Sequence, residues 1–262
     1  MITSTSNPKI KFVRALQAKP QTRREAQAFV CEGVRLVEEA LSAGWPARLL
    51  LHTTELNERG QAVVDVYASQ GVEVEQVAPH VMRAASETET PQGILVVLAM
   101  IALPIPARLD FVLISDAVRD PGNLGTILRT ATAAGVNALL VPPGTVDPYS
   151  SKVLRSAMGA HFRLPLRVLS WQEIGDLLKD AGLRVYLAAA GQGEAYTRLD
   201  FRQPLALILG SEAMGVGSQA YTLADAYMHI PMPGQSESLN VAAAAAVLMF
   251  EVVRQRAQPR EK

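Results

Sequence analysis

Three polar segments in the second half of the chain contain the residues best suited to chemistry. They are DPGNLGTILRTATAAG (residues 120–135), GSEAMGVG (210–217) and PMPGQSESLN (231–240). Arginine, glutamate, asparagine and serine side chains can hold a ligand through charge and hydrogen bonds. Glycines let the backbone approach a ligand closely or adopt a positive φ. This combination predicts ligand-binding loops rather than ordinary connections.

The elements predicted around these segments place all three at one edge of a sheet. Continuous apolar runs alternate with helical patterns, as in a mainly parallel sheet that is buried on both faces. Ligands of such sheets bind at the carboxyl ends of the strands. The predicted strands are residues 111–115, 138–141, 184–189, 205–209 and 228–230. The predicted helices are residues 123–134, 150–157, 171–181 and 239–256.

The first of these helices should turn an apolar stripe toward the sheet, because Leu124 and Ile127 belong to a run with helical spacing. Arg129 departs from this stripe near the loop, so its side chain could reach the crevice. A solvated surface arginine is the ordinary alternative. Asn123 is placed to cap this helix, and Ser238 is placed to cap the last one.

The last predicted helix is apolar nearly all round and contains five consecutive alanines, Ala242 to Ala246. A surface helix normally keeps a polar face, whereas a helix without one is buried. Small side chains also permit close approach of a neighbouring backbone. The pattern therefore predicts burial of this helix on all sides.

A proline-containing stretch, IALPIPARLD (residues 101–110), separates the first hundred residues from the rest and is interpreted as a linker. The sequence before it predicts a small α/β unit. The predicted strands of this unit are residues 47–52, 71–77 and 93–100. Its predicted helices are residues 24–44, with a break near 29–32, residues 57–69 and residues 79–85.

The net charge of zero conceals two basic segments. Residues 1–24 contain six Lys and Arg side chains and no acid, and a second basic group lies at residues 152–167. Basic clusters in a neutral chain indicate a local surface for a polyanion, and a solvated helix face is the alternative. The candidate phosphate contacts are Lys9, Lys11, Arg14, Arg23, Arg24, Lys152 and Arg155.

Composition and motifs disfavour several other classes of protein. Cys31 is the only cysteine and the four histidines lack metal-ligand spacing, so no metal site is expected. Neither GxGxxG nor GxxxxGK[ST] occurs, which argues against a dinucleotide site or a P-loop. No membrane span and no signal peptide are expected, because long apolar runs are missing. A cytoplasmic protein is the resulting expectation.

The three segments, in this order, resemble the three sequence motifs of the SpoU/TrmH branch of the SPOUT-type RNA methyltransferases. DPGNLGTILRTA resembles the first motif, LILGSEAMGVG the second and IPMPGQSESLNVAAAAAVLMFE the third. The similarity covers about residues 110–253. Residues 1–100 resemble, more loosely, the ribosomal-protein-like substrate-binding domain that precedes the catalytic domain in many members.

The resemblance implies an architecture and an activity. The fold would be α/β, with a small α/β RNA-binding domain in residues 1–103 and a parallel sheet with a C-terminal trefoil knot in residues 104–262. The protein would transfer a methyl group from S-adenosyl-L-methionine to a ribose 2′-hydroxyl of RNA. It would act as a homodimer, and large-subunit ribosomal RNA is favoured as the substrate.

The resemblance also implies roles for individual residues. By resemblance Arg129 is the candidate for helping the proton of the ribose hydroxyl leave. A guanidinium stays protonated in proteins and is a poor base, so we expect Arg129 to orient the hydroxyl or a neighbouring phosphate. A base role would require the RNA to perturb it. The catalytic residues would be Arg129, Asn123, Glu212, Ser238 and Asn240. The cofactor-binding residues would be Gly210, Gly215, Ile230, Met232 and Leu239.

Other functions stay open on the sequence alone. The substrate could be transfer RNA, or the chain could be a non-catalytic RNA-binding protein with a degenerate methyltransferase fold. The polar residues present at the motif positions argue against a degenerate site. A nucleotide-dependent oxidoreductase is disfavoured because no GxGxxG follows residues 111–115.

Overall fold

The computed structural model describes residues 1–210, 217–234 and 238–258. The chain forms two compact units. Unit 1 contains Met1–Ile101 and Asp147–Phe162, and unit 2 contains Ala102–Val146 and the chain from Arg163 onward. The segment Asp147–Phe162 thus folds with unit 1 although unit 2 surrounds it in sequence.

The elements before the linker form a four-stranded sheet with helices. The helices are α1 (Pro8–Ala18), α2 (Pro20–Ala26), α3 (Val34–Ser42), α4 (Glu58–Ser69) and α5 (Pro79–Ala85). The strands are β1 (Ala28–Glu32), β2 (Ala47–His52), β3 (Glu73–Gln76) and β4 (Ile94–Ala99). The strand order is β1-β4-β2-β3; β4 pairs antiparallel with β1 and β2, and β2 pairs parallel with β3.

Residues 24–44 are predicted to be helical with a break near residues 29–32, and the break is a strand of its own, β1, which the prediction lacks. α2 ends at Ala26, and Gln27 adopts a left-handed conformation with φ 48°. All five residues of β1 are buried, and Cys31 lies opposite Val96 of β4. Burial and pairing with a distant strand therefore decide the conformation here, not local helical spacing.

The sequence pattern does not predict α1, although its start carries recognisable signals. The Asn7 side chain accepts a hydrogen bond from the Lys9 backbone N at 2.9 Å, and proline occupies the first helical position. Both features favour the start of a helix. Ile10, Val13 and Leu16 of α1 are fully buried in the core of unit 1.

After residues 101–110, which form neither helix nor strand, strands and helices alternate. The strands are β5 (Phe111–Ser115), β6 (Ala138–Val141), β7 (Leu166–Val168), β8 (Arg184–Ala188), β9 (Glu194–Ala195), β10 (Leu205–Leu209) and β11 (Ala226–His229). The helices are α6 (Pro121–Ala133), α7 (Ser151–Ala157), α8 (Trp171–Asp180), α9 (Ser218–Leu223) and α10 (Val241–Ala257). Of these helices, α7 belongs to unit 1.

Within the described residues, the seven strands of unit 2 form one sheet in the order β7-β6-β5-β10-β8-β11-β9. Every pairing is parallel. The two central strands β5 and β10 are buried along their whole length, because both faces of the sheet are covered. The predicted α/β fold with a parallel sheet is confirmed. The short elements β7, β9 and α9 are not predicted by the sequence pattern.

The two long helices of unit 2 differ in how they match their predictions. The stripe of α6 is buried as predicted, with Leu124 and Ile127 fully inaccessible. Burial of α10 on all sides is wrong for the single chain, because Val247 and Phe250 are 36% and 48% exposed. Among the described residues, no helix is both long and apolar enough to cross a membrane.

Contacts between aromatic rings pack the segment Asp147–Phe162 against the rest of unit 1. The Tyr149 ring lies 5.0 Å from that of Phe29 and 5.5 Å from that of His161. The Phe162 ring lies 5.1 Å from that of Trp45. Burial lowers the pKa of His161 to about 4, so this imidazole is neutral at pH 7 and its Nε2 lies 2.8 Å from the Pro148 carbonyl.

Arg23 provides a second link to this segment. It is 2% exposed, and its Nε and Nη2 donate to Asp147 Oδ2 at 2.9 and 2.5 Å. Its Nη1 donates to the carbonyls of Leu16 and Gln17 at 2.5 and 2.7 Å. A guanidinium held in this way stabilises unit 1. The prediction that Arg23 contacts phosphate is therefore wrong.

Arg23→Met should lower the free energy of unfolding by about 3 kcal/mol, because removal of one partner leaves the other without compensation. The value lies at the low end for buried pairs because the Asp147 side chain is 23% exposed. Urea denaturation followed by circular dichroism measures the change. Arg24→Met is the matched control on an exposed neighbour and should stay within about 0.5 kcal/mol of wild type. Equal stability of the two variants would contradict the structural role of Arg23.

Candidate functional site

A cavity of about 330 Å³ lies at the carboxyl ends of three parallel strands of unit 2. β8, β10 and β11 end beside it, and residues that follow each strand form its walls. The lining is mainly apolar, with His229, Gln192, Ser238 and Tyr221 as its polar side chains. The remaining lining residues are Ala188, Ala189, Ala190, Gly191, Leu209, Gly210, Met228, Ile230, Met232, Leu239, Val241, Ala244 and Leu248.

Parts of the second and third predicted binding loops line this cavity. Two of the three loops contribute lining residues, which come from segments 210–217 and 231–240. The predicted site residues among them are Gly210, Met232, Ser238 and Leu239, joined by Ile230. Glu212 and Gly215 lie outside the described residues. The roles of all these residues stay predictions.

The loop after β8 forms a wall that sequence reasoning missed. Gly193 has φ 70°, and a Cβ there would lie 1.9 Å from the Tyr227 carbonyl oxygen, so only glycine fits. The His229 Nδ1 lies 3.2 Å from the Gln192 carbonyl oxygen, which ties the loop to the end of β11. The run AAAGQG directly after a buried strand was the available signal.

A pair of asparagines joins the starts of α6 and α10. Asn240 Oδ1 accepts hydrogen bonds from the backbone N of Ala242 and Ala243 at 3.0 and 3.3 Å, so Asn240 caps α10. Its Nδ2 donates to Asn123 Oδ1 at 3.1 Å. The structure therefore brings together two predicted catalytic residues that lie 117 positions apart.

Both predictions of helix caps need correction. Asp120, rather than Asn123, caps α6, since its Oδ1 accepts from the Asn123 backbone N at 2.8 Å. Asn240, rather than Ser238, caps α10. α6 therefore starts at Pro121, before the predicted cap, and α10 starts at Val241, after the predicted cap. The displaced residue is then available for a contact outside its own helix, as Asn123 shows.

Arg129 lies on the exposed face of α6. It is about 9 Å further along the helix axis than Asn123, at 1.5 Å per residue. Among the described residues, no hydrogen bond joins it to Asn123 or Asn240. The structure thus places Arg129 on the helix that the asparagine pair fixes, and it leaves the predicted network around Arg129 as a prediction.

Asp116 is a buried carboxyl that sequence reasoning missed. It follows β5 directly and is 3% exposed. Its Oδ2 accepts a hydrogen bond from the Gly217 backbone N at 2.7 Å, and Gly217 begins α9. Burial raises the pKa of this carboxyl, and the Gly217 hydrogen bond partly opposes that rise. An acid immediately after a continuous apolar strand was the signal.

The predicted phosphate contacts, apart from buried Arg23, differ in their surroundings. Lys9 forms ion pairs with Glu73 and Glu75, and both acids raise its pKa. Arg155 lines a second cavity within unit 1 and is 33% exposed. The exposed members of the set are Lys11, Arg14, Arg24 and Lys152. No group of three or more potential metal ligands occurs among the described residues.

A parallel sheet with an apolar cavity at its carboxyl edge defines an α/β domain that binds a small organic molecule. The chain belongs to the SpoU rRNA Methylase family, whose model matches residues 110–250. Residues 7–96 match the model of the MRM3-like substrate binding domain. The resemblance seen in the three sequence segments is thereby confirmed.

Similar proteins extend over nearly the whole chain. One is the 23S rRNA (guanosine(2553)-2′-O)-methyltransferase RlmP of Bacillus subtilis, 37% identical over 96% of this chain and 98% of the relative. Another is the 23S rRNA (uridine(2479)-2′-O)-methyltransferase of Streptomyces viridochromogenes, 33% identical over 97% and 92%.

Solved structures agree with this similarity. The AdoMet-bound rRNA methyltransferase from Sinorhizobium meliloti superposes with a TM-score of 0.87 at 30% identity and covers 98% of each chain. The SpoU methyltransferase AviRb from Streptomyces viridochromogenes, in complex with AdoMet, has a TM-score of 0.87 at 33% identity, covering 97% of this chain and all of AviRb.

Asp116→Asn should change how stability depends on pH. A raised pKa means that the folded state favours the protonated carboxyl, so the wild type loses stability as pH rises from 3.8 through the raised value. The variant stays neutral and its Oδ1 can still accept from Gly217. Its free energy of unfolding should therefore increase relative to wild type across that window and then level off.

Urea denaturation at a series of pH values between about 3 and 7 measures this difference. Asp180→Asn, which neutralises an exposed carboxyl at the end of α8, should reproduce the wild-type profile. A constant difference between Asp116→Asn and wild type across the series would contradict the assignment to Asp116.

Proposed function

We propose that this protein is an S-adenosyl-L-methionine-dependent methyltransferase that methylates a ribose 2′-hydroxyl of RNA, and of large-subunit ribosomal RNA in particular. The observation that carries the proposal is the cavity at the carboxyl edge of unit 2, to whose lining the second and third sequence segments contribute Gly210, Met232, Ser238 and Leu239. Relatives that match nearly the whole chain are named as 23S rRNA 2′-O-methyltransferases, which favours ribosomal RNA over transfer RNA.

The residues of the cavity fit S-adenosyl-L-methionine. Leu209, Leu239 and Leu248 supply apolar walls, as a flat adenine ring requires. The backbone of residues 189–192 and 229–230 borders the cavity and can offer amide and carbonyl groups to the polar edge of the base. When bound, S-adenosyl-L-methionine supplies an activated methyl group on a sulfonium sulfur. The residues proposed to hold it are Gly210, Gly215, Ile230, Met232 and Leu239.

Arg129 is proposed to orient the ribose hydroxyl, or a neighbouring phosphate, through charge-assisted hydrogen bonds. The bond between Asn240 and Asn123 holds the helix that carries Arg129 against the helix that begins at the cavity. Holding reacting groups in the right geometry lowers a reaction barrier by several kcal/mol, on the order of the effect measured for well-oriented reactants. Glu212 and Ser238 complete the proposed catalytic set.

RNA is proposed to contact the exposed basic residues Lys11, Arg14, Arg24 and Lys152, with affinity that falls as salt rises. In this proposal residues 1–103 form the substrate-binding domain and residues 104–262 the catalytic domain, except that the segment Asp147–Phe162, which folds with unit 1, belongs to the substrate-binding domain. The match of residues 7–96 to a substrate-binding domain supports the first assignment, and the match of residues 110–250 supports the second. A cytoplasmic location also stays a prediction.

A homodimer and a C-terminal trefoil knot complete the proposal. Ala243, Val247 and Phe250 follow one another at helical spacing on α10, and all three are exposed in the single chain. If a second copy of the chain packed against these three side chains, α10 would be buried as its apolar sequence predicts. The family resemblance of the third sequence segment supports the knot.

Arg129→Ala should abolish methyl transfer while it preserves cofactor binding. Loss of one charge-assisted contact to the reacting group lowers kcat by about 100-fold or more. Transfer of radiolabelled methyl to a protein-free transcript of large-subunit rRNA, followed by nuclease mapping of the product, measures the reaction and its position. Calorimetry should give a Kd for S-adenosyl-L-methionine within about twofold of wild type.

Arg198→Ala changes an exposed arginine of unit 2 with no proposed role and serves as the control with unchanged kcat. Cofactor binding lost together with activity would contradict the proposed role of Arg129. Wild-type protein that methylates transfer RNA and not ribosomal RNA would contradict the proposed substrate, and methylation of neither would contradict the proposed function.

Phe250→Asp should dissociate the proposed homodimer, because a desolvated carboxylate without a partner is costly in an apolar interface. The dimer Kd, measured by sedimentation equilibrium, should rise by tenfold or more, which corresponds to about 1.4 kcal/mol. Val168→Asp introduces the same charge at an apolar position that is 60% exposed on β7 and should leave the Kd unchanged. A monomeric wild type would refute the dimer.

A further inference from the structure

A second cavity, of about 370 Å³, lies within unit 1 and contributes nothing to the site in unit 2. It is formed by the end of β1 and the start of α3, the connection between α5 and β4, and the end of α7. No role for it follows from the three sequence motifs, which all lie in residues 110–253.

Buried hydrogen bonds hold the walls of this cavity in place. The Glu32 carboxylate is 8% exposed and accepts hydrogen bonds from the hydroxyls of Ser86 and Thr88. Gln92 Oε1 accepts a hydrogen bond from the Val34 backbone N at 2.9 Å. The connection between α5 and β4 is thus fastened at both ends, so the cavity is largely pre-formed.

Arg155 presents an unused donor at this cavity. Its Nη1 is buried and has no hydrogen-bond partner among the described residues. The Glu87 carboxylate oxygen lies 4.0 Å away, which is too long for a hydrogen bond. A buried donor without an acceptor costs free energy, and native structures rarely leave one. A ligand that brought an acceptor atom into the cavity would remove that cost.

The remaining lining favours a neutral planar ligand rather than an anion. Two arginines, Arg35 and Arg155, are balanced by Glu32 and Glu39, so the charged groups nearly cancel. The Thr90 hydroxyl can donate and accept, the Gln92 amide nitrogen can donate, and the Thr88 oxygen can accept because its proton goes to Glu32. The apolar side chains of Leu36 and Met158 lie beside them. Nucleobases have this combination of a flat apolar face and a polar edge, and guanidinium planes stack on them.

We propose that this cavity binds one unpaired nucleobase of the RNA substrate, with Arg155 Nη1 donating to a base or ribose acceptor. The inference rests on the proposed function, which makes RNA the substrate, and it names how unit 1 selects that RNA. Proteins that recognise RNA by sequence bind splayed single-stranded bases on aromatic or arginine side chains. A site for one such base distinguishes a loop or bulge from a plain duplex.

Thr90→Trp tests the proposal, because it fills the cavity and leaves every charge in place. Loss of one bound base should raise the Kd for a protein-free transcript of large-subunit rRNA by about tenfold. The dependence of that Kd on salt should keep the wild-type slope, since no phosphate contact is lost. Val66→Trp is the matched control, a tryptophan at an exposed apolar position of α4 outside the cavity, and should bind as wild type does.

Gln92→Ala, measured in the same way, removes polar groups from the cavity without adding bulk, and it should also raise the Kd. Thermal unfolding and calorimetry with S-adenosyl-L-methionine establish that each variant is folded. Wild-type affinity in both variants would overturn the proposal, as would equal losses in Thr90→Trp and Val66→Trp. Wild-type protein that binds the transcript without methylating it would contradict the proposed function and leave the cavity test valid, whereas wild-type protein without RNA affinity would overturn both.

Discussion

The parallel pairing of all seven described strands of unit 2 is the constraint on which the site depends. Because the strands run in one direction, their carboxyl ends share one edge, and residues that follow β8, β10 and β11 line the same cavity although they are distant in sequence. Both faces of such a sheet are covered by helices, so the strands themselves consist of apolar residues. Polar chemistry is thereby confined to the loops beyond the strand ends.

Helix caps then convert this edge into a defined site. The side-chain oxygen of Asn240 caps α10, and its amide nitrogen donates a hydrogen bond to Asn123 of α6. One side chain thus caps α10 and also links it to the start of α6. Asp116 follows β5, which pairs with β10. Its carboxylate accepts a hydrogen bond from the backbone N of Gly217, directly before α9. Two neutral amides and one buried carboxyl therefore form these contacts.

The sequence predicts best where local pattern and tertiary burial agree. Central strands such as Phe111–Ser115 and Leu205–Leu209 match their predicted bounds, because each is a continuous apolar run within a parallel sheet. It fails where a distant partner decides. β1 forms because β4 pairs with it, and Arg23 is buried because Asp147 lies 124 residues away. The second and third motifs contain some of the cavity residues, whereas the wall after β8 lies outside them. No local pattern reveals the cavity beside Arg155.

The excursion of Asp147–Phe162 into unit 1 makes the chain pass from one unit to the other three times. The rings of Tyr149 and Phe162 contact those of Phe29 and Trp45, so unit 1 contains a segment that a single cut after Ile101 would assign to unit 2. The two units are consequently not interchangeable modules. An engineer who wished to exchange unit 1 for another domain would have to replace two separated stretches of sequence as one piece.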